Sequence, residues 1–512
     1  MSTPVQVIDT PVPTPAQAAA PVTGWRRAIA DWLLVGGTTL VCHVLGAVTS
    51  LVLRFLLDPA QMGVWQGIKM LIGYANYANL GISKGAVRDL TVAQGSGPQA
   101  QTQAREGLNL AFAVNTLSSA IYALAMIAGG VWIGLGGGPF SFAWSSGLIL
   151  VGLLAVLSRY VTFHVTILRG QQSFTATSRL SLIEGTLTLV VVGLTTWRFG
   201  LLGLYFGTLV VTLASMAYVW RYRGASLHWA WNGPKIRRLI GIGGPILAAT
   251  TLFIFFRSLD KLMILAYMTD REYQLGCYSL ALMVAAQIYG LGGITGMVMS
   301  PRYGEKFGQS ANRTEVARLT ARTGELQAVA MSLVGGLSLV LAGPVLGRLL
   351  PSYEAGLGPT TWLIPGTVLL TMALPVNQYM IAINRQRRAL LVVVAAIIFA
   401  AVANHRALST GHGLTGVAVA TTAAYAAYYV LLVAVSIWVE LPSPDRRRFT
   451  VLTSLALAPT LGTAMIVAND IPLTLANWST LAGHVVLVLL VWSLSAASVW
   501  HFGRWREHFA RT

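Results

Sequence analysis

Long apolar runs alternate with short arginine-bearing segments along the whole chain. Each run is roughly 20 residues, the length a helix needs to cross a hydrocarbon core about 30 Å thick. In lipid every backbone N–H and C=O must be paired within the protein, so each run is predicted to be helical. The runs lie near 33–53, 64–83, 108–128, 143–163, 181–197, 201–220, 240–267, 278–299, 328–349, 359–383, 389–404, 413–438, 450–468 and 480–500. The pattern predicts an all-α polytopic membrane protein of about fourteen transmembrane helices.

Basic residues divide unevenly between alternate loops. With the N-terminus inside, the cytoplasmic loops hold Lys84, Arg88, Arg105, Arg169, Arg179, Arg221, Arg223, Lys235, Arg237 and Arg238. Further along they hold Arg302, Lys306, Arg313, Arg385, Arg387, Arg388, Arg446, Arg447, Arg448 and Arg504. The opposite side holds only Arg54, Arg198, Arg271, Arg348 and Arg406. This bias follows the positive-inside rule and predicts an even number of spans with both termini cytoplasmic. Pro245, Pro365, Pro375 and Pro459 fall inside spans, where they are expected to mark kinks.

Composition adds two exclusions. Of 512 residues, 55% are hydrophobic and 10% charged, which leaves no stretch for a separate soluble domain. A net charge of +18 raises nucleic acid as a partner. That charge is spread over the loops, however, and is not interleaved with stacking aromatics, so no nucleic-acid partner is expected. Cys42 and Cys277 support neither a disulfide framework nor a zinc site, and nothing calls for a cofactor. Residues 1–24, rich in proline and alanine, are expected to form a disordered cytoplasmic tail. The expected organisation is a lobe over 25–223, a second over 235–440, two added helices over 449–503 and a tail over 504–512.

A short pattern occurs twice, Leu56-Leu57-Asp58-Pro59-Ala60-Gln61-Met62-Gly63-Val64-Trp65 and Met268-Thr269-Asp270-Arg271-Glu272-Tyr273-Gln274-Leu275-Gly276-Cys277-Tyr278. In each, a polar turn leads to a glycine with an aromatic two residues on. The glycines are 213 residues apart and six spans separate the units, so the repeat is parallel, about an axis along the membrane normal.

These segments, with Tyr77-Ala78-Asn79-Leu80-Gly81-Ile82 and Leu259-Asp260-Lys261-Leu262-Met263-Ile264-Leu265, make the chain similar to Wzx-type polysaccharide flippases of the multidrug/oligosaccharidyl-lipid/polysaccharide exporter superfamily. The resemblance implies two pseudo-symmetric six-helix lobes around a cavity, two added C-terminal helices and alternating access. It implies a lipid-linked oligosaccharide as substrate, membrane lipids as surroundings, and a polysaccharide polymerase and glycosyltransferases as partners in surface polysaccharide assembly.

Ionisable groups inside spans cost about 2.5–3.5 kcal/mol each and mark candidate sites. Lys69, Gly73, Asn76, Leu80 and Ser83 share one helical face, with Tyr74, Tyr77 and Asn79 beside it. That face lines a cavity or bonds a neighbouring helix. Arg257 and Lys261 are four apart in the seventh span; Asp260 pairs with Arg257 or leaves it free to face a cavity. Glu184 is a coupling candidate or a partner of Arg159 or Arg179, and Arg54 is a rim candidate. A diphosphate of about two negative charges suits lysine and arginine, and Asn76, Asn79, Asn377, Gln378 and Tyr379 suit sugar hydroxyls. No catalytic motif occurs, and the longest loops, 84–107 and 300–327, are on the order of 25 residues, too short for a catalytic domain. A drug/cation antiporter would want cavity carboxylates, for which only Asp260 and Glu184 qualify. A non-transporting scaffold would have no use for groups so costly in lipid.

Overall fold

In a computed structural model, residues 24–93, 98–136, 141–171, 173–222, 227–310, 312–469 and 478–502 are described. The expected tails, apart from Gly24, lie outside them, as do Arg223 and Arg504. Among the described residues every regular element is helical. The N-terminal lobe comprises α1 (Gly24–Leu56), α2 (Pro59–Ala75), α3 (Ile82–Ala93), α4 (Pro98–Gly136), α5 (Ser141–Gly170), α6 (Phe174–Leu187) and α7 (Gly193–Tyr222). The second lobe comprises α8 (Gly233–Phe256), α9 (Leu259–Tyr267), α10 (Arg271–Ser310), α11 (Arg313–Leu341), a single turn α12 (Gly347–Leu349), α13 (Leu357–Ala382), α14 (Gln386–Ser409) and α15 (Gly413–Val435). A short α16 (Ile437–Glu440) leads to the added helices α17 (Ser443–Asn469) and α18 (Trp478–Phe502). Leu124, Trp132, Leu135, Leu391, Val402 and Leu494 are among the large apolar side chains left exposed, as lipid-facing surfaces require.

Eleven helical runs among the described residues are long and apolar enough to cross a membrane, against the fourteen expected. The difference has three sources. The predicted span at 64–83 is broken into α2 and α3 by an irregular segment in which Leu80 and Gly81 have φ of 53° and 82°. The run Phe174–Tyr222 holds two predicted spans in 49 residues. It turns at Gly200, whose φ of 58° and ψ of −137° are open to glycine but strained for other residues. In α18 the apolar stretch, Ala482–Ser498, is short. The expected long loops are also corrected: α3 runs to Ala93, and α10 and α11 extend to Ser310 and from Arg313, so helix replaces loop. Helices run on through Pro245, Pro365, Pro375 and Pro459. Non-helical backbone lies elsewhere, at Leu80–Gly81, at Gly200 and at Ser258 among other positions.

The repeat extends through both lobes at the spacing of 213. Gly200 and Gly413, that distance apart, both have φ of 58°. The two repeat glycines sit where the lobes cross. A Cβ on Gly63 would strike the Glu272 carbonyl, and a Cβ on Gly276 would strike the Pro59 carbonyl. Glu272 is the counterpart of Pro59 at the same spacing, so the contact is its own mirror image, the signature of a two-fold interface. Glycines let two helix backbones meet without side chains between them.

Candidate functional site

The lobes touch at both ends of the helices. At the end holding the α2 N-terminus, Gly63 and Gly276 close the α2–α10 crossing, and Trp144 Nε1 donates to Glu272 Oε1 at 3.2 Å. At the basic end, Gly81 packs on Gly243 and Gly85 on the Leu239 carbonyl, joining α3 to α8. Between these closures Lys69 is exposed, although Gly67 and Ile68 beside it are buried. It is within electrostatic reach of Arg54 and, across the lobe interface, of Lys261.

The predicted stripe on the second span is cut short. α2 ends at Ala75, so Leu80 and Ser83 do not continue the face of Lys69, Gly73 and Asn76. Asn76 is half-buried with Oδ1 unpartnered. Asn79 instead holds the break: its Oδ1 accepts from Gly81 N–H at 3.0 Å and its amide donates to Ser83 Oγ at 3.4 Å. Tyr74 and Ser258 hydroxyls meet at 2.5 Å, so the breaks in the second and seventh spans face each other.

The seventh span is not continuous either. α8 ends at Phe256 and α9 begins at Leu259, so Arg257 and Lys261 do not share one helical face. Asp260 lies in the first turn of α9, where the helix dipole favours an anion. It is 2% exposed; its Oδ1 accepts from Lys261 N–H at 2.8 Å and its Oδ2 from the Tyr278 hydroxyl at 2.9 Å. The expected Arg257–Asp260 ion pair is absent from the described salt bridges. Arg257 stacks on Tyr289 instead, its Cζ 3.7 Å from the ring centroid, within hydrogen-bond reach of Tyr425. Lys261 is half-buried, and its own N–H is one of the two donors that hold the Asp260 carboxylate.

Four further candidates find partners of their own. Arg54 is not a rim residue: it is 3% exposed and crosses between lobes, donating to Ser50 O at 2.7 Å and to Ser279 O at 2.6 Å. Asn377 donates to the Tyr428 hydroxyl at 2.8 Å, and Gln378 accepts from Ser300 at 3.0 Å. Glu184 does not meet Arg159, which bonds Asn115 Oδ1 at 2.9 Å and Ser118 Oγ at 3.0 Å; Arg169 is the cation within electrostatic reach of Glu184. Tyr289 and Trp144 were missed, because each acts across a tertiary contact with no local spacing to announce it. An apolar groove of about 400 Å³ between α11, α17 and α18 has no lysine or arginine in its lining, so a diphosphate has no partner there.

Two helical lobes that meet at both ends, with Lys69 between the contacts, define a multi-pass helical membrane protein. The chain belongs to the family described as "Polysaccharide biosynthesis protein", which matches residues 56–332, more than half its length. Its fold is that of the lipid II flippase MurJ in an inward closed conformation, with TM-score 0.67 at 13% identity, covering 92% of this chain and 99% of that one. An inward-facing multidrug resistance MATE family transporter of the MOP superfamily matches with TM-score 0.58 at 15% identity, covering 83% and 99%. A MOP superfamily transporter from Pyrococcus furiosus matches with TM-score 0.52 at 13% identity, covering 83% and 95%. No curated protein is similar to the chain at the level of sequence.

Proposed function

We propose that the protein moves a polyprenyl-diphosphate-linked oligosaccharide from the cytoplasmic to the outer leaflet by alternating access, for surface polysaccharide synthesis. The observation that carries this is the exposed Lys69 between the lobes, with Lys261 across the interface and the Asp260 carboxylate beside it already accepting two hydrogen bonds. The family membership supports a polysaccharide-related cargo. The lysines serve as point charges for the diphosphate; Tyr74, Tyr77 and Asn76 offer groups for sugar hydroxyls. Asn79, Arg54 and Arg257 act indirectly in this reading, by holding the helix breaks and the lobe contact.

The lobes span 25–223 and 235–440, with 449–503 as an accessory pair. They rock about the cavity, opening the Gly81–Gly243 contact on the cytoplasmic side and the Gly63–Gly276 crossing on the other. Both termini lie in the cytoplasm, and the protein sits in the bacterial inner membrane beside a polymerase and glycosyltransferases. A potential negative inside favours outward movement of the anion by about 2.3 kcal/mol per charge per 100 mV. A cationic drug is a poorer fit, because Asp260 is buried and already accepts two hydrogen bonds.

The test is a reconstituted vesicle assay with a labelled lipid-linked glycan. Lys69→Ala and Lys261→Ala are expected to slow transfer strongly. Transfer by both variants at the wild-type rate would remove the assignment of the cavity.

A further inference from the structure

Among the described residues, Arg159 is a buried cation that lacks a counter-ion. It lies in the apolar run Phe142–Gly170, where α5 packs against α4, and is 2% exposed. Its Nη2 donates to Asn115 Oδ1 at 2.9 Å and to Ser118 Oγ at 3.0 Å, both on α4. These two bonds fix the plane of the guanidinium. Nε and Nη1, which carry three of its five N–H donors, have no partner. No described ion pair uses Arg159, and no described carboxylate is within electrostatic reach of it. Glu184 lines a separate cavity of about 260 Å³, with Ser158 and Thr162 of α5 and Thr208, Thr212 and Ser215 of α7, and its cation is Arg169.

Arginine stays protonated in a protein, so this charge cannot be shed. A charge taken out of water is costly unless it is both paired and hydrogen-bonded. Asn115 and Ser118 are neutral acceptors and leave the charge whole. A water molecule would meet the free N–H groups and still leave it unbalanced. An anion meets both needs.

The packing of the fold does not call for this arginine. At the repeat spacing of 213, Arg159, Asn115 and Ser118 correspond to Met372 on α13 and to Ala328 and Met331 on α11. All three are buried, so the equivalent positions of the second lobe are filled by apolar side chains. Apolar residues of similar volume often replace a buried ionic cluster at no cost in stability. A charge kept at this place in one lobe therefore points to something that it holds.

We propose that Arg159, oriented by Asn115 and Ser118, binds one small monovalent anion of the halide class between α4 and α5. One negative charge balances one guanidinium, as the membrane interior requires. Arg159 and Asn115 are 2% and 5% exposed, so the place suits a single ion and not a phosphate-bearing headgroup. The binding does not rest on the transport reading, because neither Lys69 nor Lys261 takes part in it.

The experiment is thermal unfolding of the purified full-length protein in detergent, with sodium chloride replacing sodium gluconate at constant ionic strength. Chloride is expected to raise the midpoint saturably in the wild type, by mass action on the folded state, and bromide to do the same. Arg159→Met gives this lobe the side chain that the other carries at Met372; it is expected to fold and to lose the shift altogether. Arg159→Lys keeps the charge and gives up the planar fork, and is expected to need at least about tenfold more chloride for half the shift. Lys69→Ala is expected to keep the shift, which tells an anion at Arg159 from one between the lobes. Should neither Arg159 variant fold, anomalous diffraction from wild-type crystals grown in bromide decides. A bromide peak in contact with Arg159 is expected, and its absence overturns the proposal. No chloride shift in the wild type, or an equal shift in Arg159→Met, overturns it as well.

Discussion

The two lobes share one backbone plan and use it for different chemistry. In the N-terminal lobe, serine and threonine face a cavity around Glu184, and small hydroxyls leave space. In the second lobe, tyrosines at the matching positions fill that space. Their rings hold Arg257 at the helix break, where Tyr289 stacks under the guanidinium and Tyr425 lies within hydrogen-bond reach. The same six-helix scaffold thus gives a hollow half and a packed half. The difference shows that the repeat keeps where helices cross and turn, at Gly63 with Gly276 and at Gly200 with Gly413, while side-chain volume between the helices differs.

The comparison can be broken most forcefully at the crossing. Gly63→Leu and Gly276→Leu put side chains into opposite halves of one mirrored contact. Overpacking of about 1–3 kcal/mol would change the closed population by about 5- to 150-fold. Both variants are expected to lose glycan transfer alike and to leave that end reactive to a membrane-impermeant thiol reagent at an introduced cysteine. If one variant transfers normally while the other is dead, the two halves of the contact are not equivalent. Next in size, Lys69→Ala removes a charge-assisted partner worth about 1.5–3 kcal/mol, or roughly 10- to 150-fold in transfer efficiency. Lys69→Arg, which keeps the charge, is expected to recover part of this.

Thr212→Tyr gives the N-terminal lobe the residue that its partner lobe carries at Tyr425. It is expected to fill the cavity beside Glu184 and, by overpacking, to lower the unfolding midpoint while the protein still binds lipid-linked glycan. Tyr289→Leu withdraws the ring beneath Arg257 in the packed lobe, a loss of about 0.5–2 kcal/mol in stability, read as a lower unfolding midpoint. The smallest effect is expected at Asp58, whose Oδ1 accepts from Gln61 N–H at 2.9 Å at the start of α2. Asp58→Ala is expected to cost about 1 kcal/mol of stability and leave transfer unchanged. The counterpart position carries Arg271, so the cap is not shared between lobes.

Most of the architecture was legible in the sequence, because apolar length and arginine placement report directly on lipid. The 213-residue repeat was visible from one glycine and one aromatic in each unit, although only the structure shows those glycines touching each other's helices. The breaks were harder. Residues 69, 73, 76, 80 and 83 have helical spacing, and nothing local says that Leu80 and Gly81 leave the helix; Gly81 does so where α3 meets Gly243. For the same reason Arg257 and Lys261 read as neighbours on one face when the backbone parts them. Lys69 stood out in the sequence because a lone lysine in an apolar run is costly in lipid. Arg54 was misplaced because its partner, the Ser279 carbonyl, lies 225 residues away. The hydroxyl stripes on α5 and α7 were available as spacing, but only folding shows that they converge on Glu184.

At the Gly63–Gly276 crossing the two backbones meet without a side chain of either glycine between them. Apart from the Trp144–Glu272 pair, shutting it freezes few rotamers, so this seal forms with a smaller entropy penalty than interlocking side chains would incur. Parting it releases little disorder in return. Warming should therefore do little to spring the seal, leaving cargo and ions, more than heat, to decide when that end opens.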